Sequence, residues 1–375
     1  SIVILLKKYI MKLLFYLSIL LLMLSCSESA SIVDQLIDEV STEYVPDKRV
    51  AIFNVEAMPQ NGIIKLKGAA NIPEAKTNLL QQLDDIGINY IDSIELLPSN
   101  DLEGKIYGVV NLSVCNMRSN PKHSAELATQ STLGTPLNIY RIENGWYRVQ
   151  TPDQYLGWLD AGGFTLMDEA TYKTWQAMPK VVYQRDYGFS YAQPNDQAQR
   201  VSDLVAGNIL ALDSIGENFT RVRYPDNRLG YVESNFLMNY KDFLTPDSVS
   251  TKRILAAAKN LMGRPYLWGG TSGKGMDCSG FTKTAFYMNG LLLPRDASQQ
   301  VHVGEAIALD TTWQTHQPGD FLFFGRKATA DQKERITHVA IHLGDGKIIH
   351  SSGTVKQESL NRKHADFNSY RFETL

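Results

Sequence analysis

The stretch that decides the fold of this chain is residues 263–288, which read GRPYLWGGTSGKGMDCSGFTKTAFYM. Its first half is rich in Gly and Pro, which disfavour a continuous helix. In its second half, apolar side chains recur at spacings of four and three, at Phe281, Ala285 and Met288. This spacing predicts an amphipathic helix over about residues 278–288.

A cysteine stands at the predicted start of this helix. Asp277 occupies the N-cap position, so Cys278 falls in the first turn. Unpaired N–H groups and the helix dipole favour a negative charge there, and a thiolate is the nucleophilic form of cysteine. The sequence therefore predicts a reactive thiolate, and the alternative is a buried structural cysteine.

Two histidines follow on a predicted hairpin. Residues 336–344 have the alternating, β-branched character of a strand, and residues 347–352 follow the turn as its partner. His338 and His350 would then lie close together on facing strands. With Cys278 they would form the nucleophile, base and orienting group of thiol acyl transfer, although each histidine alone is equally compatible with a satisfied core position.

Six short motifs follow one another in order over about a hundred residues. They are Tyr266-Leu-Trp-Gly-Gly270, Asp277-Cys-Ser-Gly-Phe281, Pro294-Arg-Asp296, Pro318-Gly-Asp-Phe-Leu-Phe-Phe324, Thr337-His-Val-Ala340 and Ile349-His350. Through them residues 250–375 resemble the catalytic domain of the NlpC/P60 cysteine peptidases, papain-like enzymes that cut bacterial cell-wall peptides. The resemblance implies Cys278 as nucleophile, His338 as base and His350 as the orienting residue. The Cys278 backbone N–H and the Tyr266 hydroxyl would stabilise the oxyanion, and no cofactor or metal is implied.

The composition excludes several other classes of protein. Across 375 residues, 37 basic side chains stand against 40 acidic ones, so no basic excess favours binding to nucleic acid. Three cysteines, Cys26, Cys115 and Cys278, are too few for a disulfide framework. We expect Cys115 to be a buried strand residue.

The N-terminal region, residues 1–30, has the pattern of an export signal. From Met11 the sequence has a basic start followed by an apolar core, and it continues to Cys26. The residues directly before Cys26 are Met-Leu-Ser. This sequence resembles a loosened bacterial lipobox, which implies cleavage before Cys26 and acylation of its thiol. We therefore expect an exported, monomeric bacterial lipoprotein in the periplasm or at the outer membrane, held to the membrane only by its lipid. The alternative is a plain secretory signal.

The next region, residues 31–105, is predicted to be a small α/β domain. Helical periodicity covers residues 32–40 and 73–83, and strand-like runs cover residues 50–55, 63–67 and 90–96. The region weakly resembles bacterial BON-like domains. It carries no evident chemistry, so we interpret it as a spacer or docking domain.

An internal repeat occupies the middle of the chain. Residues 148–158 align with residues 221–231 at an offset of 73, with six identical positions and an aromatic residue closing each copy. The pattern predicts a strand, a tight turn and a second strand in each copy. Both copies, residues 106–170 and 178–243, resemble bacterial SH3 domains, and Tyr155 in the first corresponds to Arg228 in the second.

The resemblance also implies a substrate cleft. In relatives with two SH3 domains, the first helps to wall the active site, where an acidic residue and a tyrosine recognise the free amino terminus of the substrate. The candidates here are Glu126 and Tyr155, joined by Asp296. The remaining candidate substrate contacts are Trp268, Asp277 and Ser279.

The sequence thus predicts an α+β protein with a papain-like catalytic domain, preceded by two SH3-like β-barrels and a small N-terminal α/β domain. Its expected activity is hydrolysis of the γ-D-glutamyl–diamino acid bond in peptidoglycan-derived peptides with a free L-Ala, in cell-wall recycling. Open alternatives are a non-catalytic peptidoglycan-binding lipoprotein and a papain-like amidase or transferase.

A metal site is the remaining chemical alternative. It would combine Cys278 with His338, His342 and His350. His338 and His342 are four residues apart on the predicted strand, about 13 Å at strand rise, too far for one zinc ion. We therefore expect no metal and no catalytic role for His342.

Overall fold

The computed structural model describes residues 30–60, 63–245 and 250–375. The chain divides into two units, one ending at Asp101 and the other beginning at Leu102. The predicted export signal and the acylation site at Cys26 lie outside the described residues.

The first unit is a three-stranded sheet with two helices. Its elements are α1 (residues 30–44), β1 (Phe53–Gln60), β2 (Ile63–Ala70), α2 (Pro73–Asp85) and β3 (Tyr90–Leu96). β1 and β2 are antiparallel, whereas β2 and β3 are parallel and joined through α2. The apolar faces of helices and sheet form one core that includes Leu66, Leu79 and Leu83. The two helices and three strands predicted for this region are confirmed.

The second unit begins with a seven-stranded antiparallel sheet. Its strands are β4 (Tyr107–Val110), β5 (Val114–Arg118), β6 (Leu127–Thr132), β7 (Pro136–Glu143), β8 (Trp146–Gln150), β9 (Leu156–Asp160) and β10 (Phe164–Met167). They are ordered β10-β4-β7-β8-β9-β5-β6 around a core that includes Met117, Ile139 and Leu159. Helix α3 (Glu169–Ala177) leads out of this sheet.

A second sheet repeats this topology. Its strands are β11 (Lys180–Tyr183), β12 (Tyr187–Tyr191), β13 (Arg200–Val205), β14 (Ile209–Ser214), β15 (Phe219–Arg223), β16 (Leu229–Glu233) and β17 (Leu237–Asn239). The order β17-β11-β14-β15-β16-β12-β13 matches the first sheet strand for strand. The repeat seen in the sequence is therefore a repeat of fold. Within residues 102–245, neither ladder joins its two end strands, so each predicted barrel is an open sheet folded around its core.

The C-terminal part carries a four-stranded antiparallel sheet against a central helix. After α4 (Tyr240–Phe243) its elements are α5 (Thr251–Asn260), β18 (Thr271–Ser272), β19 (Gly275–Met276), α6 (Cys278–Tyr287), α7 (Ala297–Gln300), β20 (Phe321–Arg326), β21 (Arg335–Gly344), β22 (Lys347–Ser352), β23 (Thr354–Ser359) and α8 (Ser369–Glu373). The sheet order is β20-β21-β22-β23. Phe281 and Ala285 of α6 pack on Ile341 and Ile349 of the sheet. The helix and the hairpin predicted around the active site are confirmed.

No helix in the described ranges has the length and apolar character needed to cross a membrane.

Candidate active site

The thiol of Cys278 lies at the start of α6, as the sequence predicts. Asp277 caps the helix, because its Oδ1 accepts a hydrogen bond of 2.7 Å from the Gly280 backbone N–H. Cys278 is only 8 % exposed and packs against Val339 of β21. Val339 directly follows His338 in the chain. The helix start therefore places the sulfur beside the strand that carries the imidazole.

The ionisation of this thiol differs from the sequence-based expectation. Burial raises the pKa of Cys278 to about 11, and the neighbouring Asp277 carboxylate adds to the rise. The backbone N–H groups of Val339 and Ser279 act in the opposite direction by hydrogen bonding to the sulfur. The prediction of a resting thiolate is therefore wrong for the free site. It considered the helix terminus alone, whereas the cost of desolvating a charge depends on the tertiary fold.

Three side chains form a hydrogen-bonded chain that begins at His338. His338 Nε2 lies 2.7 Å from His350 Nδ1, and the two rings meet edge to face. His350 Nε2 in turn lies 3.0 Å from Glu358 Oε2. Glu358 is thus a further member of the site that the sequence analysis did not identify.

Charge along this chain is concentrated on the carboxylate. Burial lowers the pKa of His338 to about 2, with Arg371 and His350 adding to the effect. Burial also lowers the pKa of His350 to about 4, although Glu358 acts to raise it. Burial works to raise the pKa of Glu358, but hydrogen bonds from Lys356 and Asn368 and the field of His350 hold it below its usual range. At neutral pH both rings are uncharged and the carboxylate is ionised.

This charge state determines which ring nitrogens carry protons. An ionised Glu358 only accepts hydrogen bonds, so His350 Nε2 must donate to it. His350 Nδ1 is then the acceptor, and His338 Nε2 must donate to it. His338 Nδ1 is left unprotonated, which is the form that can take a proton from Cys278.

A buried ion pair holds the loop before α6 in place. Arg295, which is 1 % exposed, donates to Asp277 at 2.6 and 3.1 Å and to Ser279 Oγ at 3.0 Å. Asp277 Oδ2 also accepts from the Gly269 backbone N–H at 3.0 Å. The structure therefore places Asp277 and Ser279 in a network that positions Cys278, and their contact with substrate stays a prediction. Arg295 belongs to the Pro294-Arg-Asp296 motif, but its role as the partner of Asp277 was not predicted.

The other predicted substrate residues meet in pairs across the boundary between the first repeat and the catalytic part. The Tyr155 hydroxyl donates to Asp296 Oδ2 at 3.2 Å. Trp268 Nε1 donates to Glu126 Oε1 at 2.6 Å. Asp296 also caps α7, whose first residue, Ala297, packs against Cys278. The structure thus brings these four side chains together as two pairs, each of which joins the first repeat to the catalytic part.

The first repeat is fixed firmly to the catalytic part. Lys283 of α6 forms a largely buried ion pair with Asp153, two residues before Tyr155. Gln130 of β6 accepts from the Thr271 backbone N–H at 3.1 Å. These contacts hold the loop that carries Tyr155 against the helix that carries the nucleophile.

One glycine lies at a close approach of the two parts. Gly269 has φ +76°, and a Cβ built on it would lie 2.2 Å from the backbone oxygen of Leu127 in β6. Only glycine fits here, for its conformation and for the space it leaves.

A polar cavity of about 360 Å³ lies on the catalytic part, lined in part by Tyr266, His338 and Arg371. Burial raises the pKa of Tyr266 to about 12, so its hydroxyl stays protonated and able to donate. The oxyanion role predicted for this hydroxyl remains a prediction.

His342 and Cys115, for which no catalytic role is predicted, have structural partners or positions of their own. His342 uses both ring nitrogens on backbone groups, Nδ1 with the Gln317 oxygen at 3.1 Å and Nε2 with the Gly346 N–H at 3.1 Å. Cys115 is a buried residue of β5, as predicted, and burial raises the pKa of its thiol to about 12.

The fold and this site define a papain-like cysteine peptidase. Family comparison agrees, since residues 263–371 match the NlpC/P60 family and residues 117–163 match the bacterial dipeptidyl-peptidase SH3 domain. The chain belongs to the NlpC/P60 family.

Similar proteins support the assignment over more than one domain. A γ-D-glutamyl-L-lysine dipeptidyl-peptidase of Bacillus cereus is 30 % identical over 240 residues, 60 % of this chain and 67 % of that protein. A dipeptidyl-peptidase 6 of Lysinibacillus sphaericus is 28 % identical over 265 residues, 68 % of this chain and 92 % of that protein. Among solved structures, an NlpC/P60 family protein from Bacillus cereus has a TM-score of 0.59 at 23 % identity, covering 68 % of this chain and 94 % of that one. This last match shows the fold alone.

Proposed function

We propose that this peptidase hydrolyses the γ-D-glutamyl–diamino acid bond of peptidoglycan stem peptides whose N-terminal L-Ala is free. Such peptides are already detached from the glycan, so the activity belongs to recycling of wall fragments. The names of the similar proteins from Bacillus cereus and Lysinibacillus sphaericus support a dipeptidyl-peptidase activity.

The observation that carries this proposal is the hydrogen bond between Tyr155 and Asp296. It joins the first repeat to the segment packed against Cys278, with the Glu126 carboxylate on the same boundary. Two carboxylates and a phenol hydroxyl provide acceptors for an ammonium group. An acylated substrate has no ammonium group to pair with those carboxylates, so its binding would cover them without a charged partner, which gives selectivity against it.

Acylation begins from the neutral thiol and the unprotonated His338 Nδ1. The sulfur attacks the γ-carbonyl carbon while its proton passes to His338. As the amide C–N bond breaks, His338 returns that proton to the departing amine. The product is a thioester between Cys278 and the γ-glutamyl group.

Deacylation uses water in place of the departed amine. His338 accepts a proton from the water molecule as its oxygen attacks the thioester carbon, and the C–S bond then breaks. The sulfur regains a proton and the glutamyl carboxyl group is released. The Cys278 backbone N–H and the Tyr266 hydroxyl would stabilise the oxyanion in both steps, each worth roughly 3 kcal/mol.

The test compares three substrates of the purified protein. We expect fast cleavage of L-Ala-γ-D-Glu-diamino acid tripeptide, slow cleavage of its N-acetyl form and little release from intact sacculi. Cys278→Ala and His338→Ala should abolish turnover while the circular dichroism spectrum is retained. Faster digestion of sacculi than of the tripeptide would contradict the proposed specificity, and peptide-bond formation with added amines would indicate a transferase.

A matched pair of variants tests whether Tyr155 recognises the N-terminal amine of the substrate. Tyr155→Phe removes the hydroxyl bonded to Asp296 and should raise KM for the free-amine peptide. It should also narrow the difference between free and acetylated peptide. Tyr231→Phe, in the corresponding region of the second repeat, should leave both parameters unchanged. An unchanged preference in Tyr155→Phe would exclude this residue from amine recognition.

We propose further that the protein is exported and acylated at Cys26, on the export-signal pattern of the sequence. Mass spectrometry of the mature protein should show cleavage before Cys26 and a lipid on its thiol. An unmodified Cys26 in the mature chain would contradict this.

A further inference from the structure

The polar cavity beside His338 contains one strong positive charge. Arg371 of α8 lines it together with Tyr266, His338 and Ser352. The lining includes no acidic side chain. At about 360 Å³ the cavity is at the small end of the range for ligand sites, enough for a small fragment of a substrate.

The guanidinium of Arg371 is held in place by weak contacts. It lies over the rings of Phe324 and Tyr370, 5.7 and 5.4 Å from their centres, and Nη2 donates to Ser352 Oγ at 3.4 Å. These contacts fix the orientation of the side chain but leave most of its five N–H donors unused.

No carboxylate within the described ranges lies at ion-pair distance from Arg371. Glu358, the acid whose field it feels, is engaged by Lys356 at 2.6 Å and by His350 at 3.0 Å. Burial lowers the pKa of Arg371, so its charge is partly desolvated without a carboxylate partner of its own. A bound anion would compensate this charge.

The cavity is separate from the amine-binding boundary. None of Glu126, Tyr155, Trp268 and Asp296 lines it. His338, which returns the proton to the departing amine, does line it. The departing amine must lie within reach of His338 to receive that proton, so a cavity lined by His338 is a place where the leaving fragment can bind.

We propose that Arg371 binds the α-carboxylate of the diamino acid released by the reaction, an inference that rests on the proposed function. The planar guanidinium pairs with a carboxylate through two parallel hydrogen bonds. Arg371 then makes the enzyme selective for peptides that end soon after the cleaved bond. Together with the side chains proposed to bind the N-terminal amine, Arg371 would select peptides by both their amino and their carboxyl ends.

The first experiment varies the carboxylates of the peptide. It compares L-Ala-γ-D-Glu-L-Lys with its C-terminal carboxamide and with the analogue that has D-isoglutamine at the second position. We expect wild-type kcat/KM to fall roughly 10- to 100-fold for the carboxamide, the size expected for a lost charge-assisted pair. Arg371→Met should remove this difference and Arg371→Lys should keep part of it.

Three results would overturn the inference. One is equal wild-type cleavage of acid and carboxamide. Another is an equal loss on both peptides in Arg371→Met, which would indicate an effect on the thiol or the fold. The third is an Arg371→Met variant that loses only the discrimination against D-isoglutamine, which would assign the residue to the glutamyl carboxylate. Arg362→Met, an exposed arginine outside the cavity, is the matched control and should behave as wild type.

A second experiment does not depend on peptide cleavage. Alkylation of Cys278 by iodoacetate and by iodoacetamide is followed by mass spectrometry. Arg371→Met should lower the iodoacetate-to-iodoacetamide rate ratio several-fold, because only iodoacetate carries a carboxylate. If Arg371→Met lowers this rate ratio but the wild-type protein does not cleave the peptide, the carboxylate site is supported and the proposed substrate is rejected. An unchanged ratio would reject the site.

Discussion

Glu358 Oε2 lies 3.0 Å from His350 Nε2, and because Glu358 is ionised this contact leaves Nδ1 as the unprotonated nitrogen of His338. The carboxylate does not touch the nucleophile. It acts through two imidazoles in series, since His350 Nδ1 then lies 2.7 Å from His338 Nε2. With the proposed roles of Cys278, His338 and His350, the arrangement extends the usual set of nucleophile, base and orienting group by one residue.

Removing the carboxylate should slow the reaction without weakening substrate binding. In Glu358→Ala the tautomers of His350 and His338 are no longer fixed, and we expect kcat to fall roughly 10- to 100-fold with little change in KM. Glu358→Gln keeps an oxygen that can accept from His350 and should stay within a few-fold of wild type. A kcat for Glu358→Ala equal to that of wild type would show that this contact is not needed.

The buried imidazoles should make the fold sensitive to acid. The pKa values of His338 and His350 in the folded state, about 2 and about 4, are below the ordinary value of 6.5. Between those values and 6.5 the unfolded chain binds more protons, so the free energy of unfolding falls as the pH is lowered from about 6.5 toward 4.

Urea titrations at pH 7 and pH 4.5 measure this effect. His338→Gln should lose less stability between the two pH values than wild type. His123→Gln, which changes an exposed ring, should follow wild type. An equal acid loss in His338→Gln and wild type would exclude His338 as a source.

A single methyl group added at Gly269 should weaken the contact between the first repeat and the catalytic part. Gly269→Ala places a Cβ 2.2 Å from the Leu127 backbone oxygen, which cannot move aside as a side chain would. We expect a lower melting temperature and a higher KM, because Trp268, bonded to Glu126, is displaced.

Gly263→Ala is the matched control for this variant. Its φ of +78° imposes a similar backbone strain of about 1 kcal/mol, yet its Cβ meets nothing within 4 Å. Equal behaviour of the two alanine variants would show that backbone strain, and not the clash, is responsible.

Breaking the buried ion pair should destabilise the enzyme strongly. Arg295→Met leaves Asp277 buried and uncompensated, with an expected loss of about 3–5 kcal/mol in unfolding free energy. Lys173→Met removes a partner from an exposed pair on α3 and should change little. Comparable unfolding midpoints for Arg295→Met and wild type would contradict the assigned role.

Local patterns were sufficient to predict the elements that carry the nucleophile and the base. Apolar spacing and the capping Asp277 predicted α6, and alternation with a turn predicted the hairpin of β21 and β22. Each of these signals depends on neighbouring residues in the chain. The repeat of residues 148–158 likewise predicted the strand pairs β8–β9 and β15–β16.

Contacts and pKa shifts that depend on segments distant in the chain could not be predicted from the sequence. Glu358 reaches His350 only because β23 pairs with β22 in a register that sets Lys356 opposite His350. The alternating residues after Gly353 could have indicated that strand, but not which side chain meets the ring. The predicted lowering of the Cys278 pKa was wrong for the same reason, because the residues of β21 and α7 that bury the thiol are distant from it in the sequence.

The two repeats use one loop position for different attachments. Tyr155 in the first copy reaches Asp296 of the catalytic part, whereas Arg228, its counterpart 73 residues later, donates to the Asn111 backbone oxygen of the first copy at 2.9 Å. The same loop position therefore joins the first copy to the catalytic part and the second copy to the first. If Tyr155 reads the substrate amine as proposed, substitutions in this loop of the first copy should change specificity, whereas the same position in the second copy should affect only how the two copies hold together.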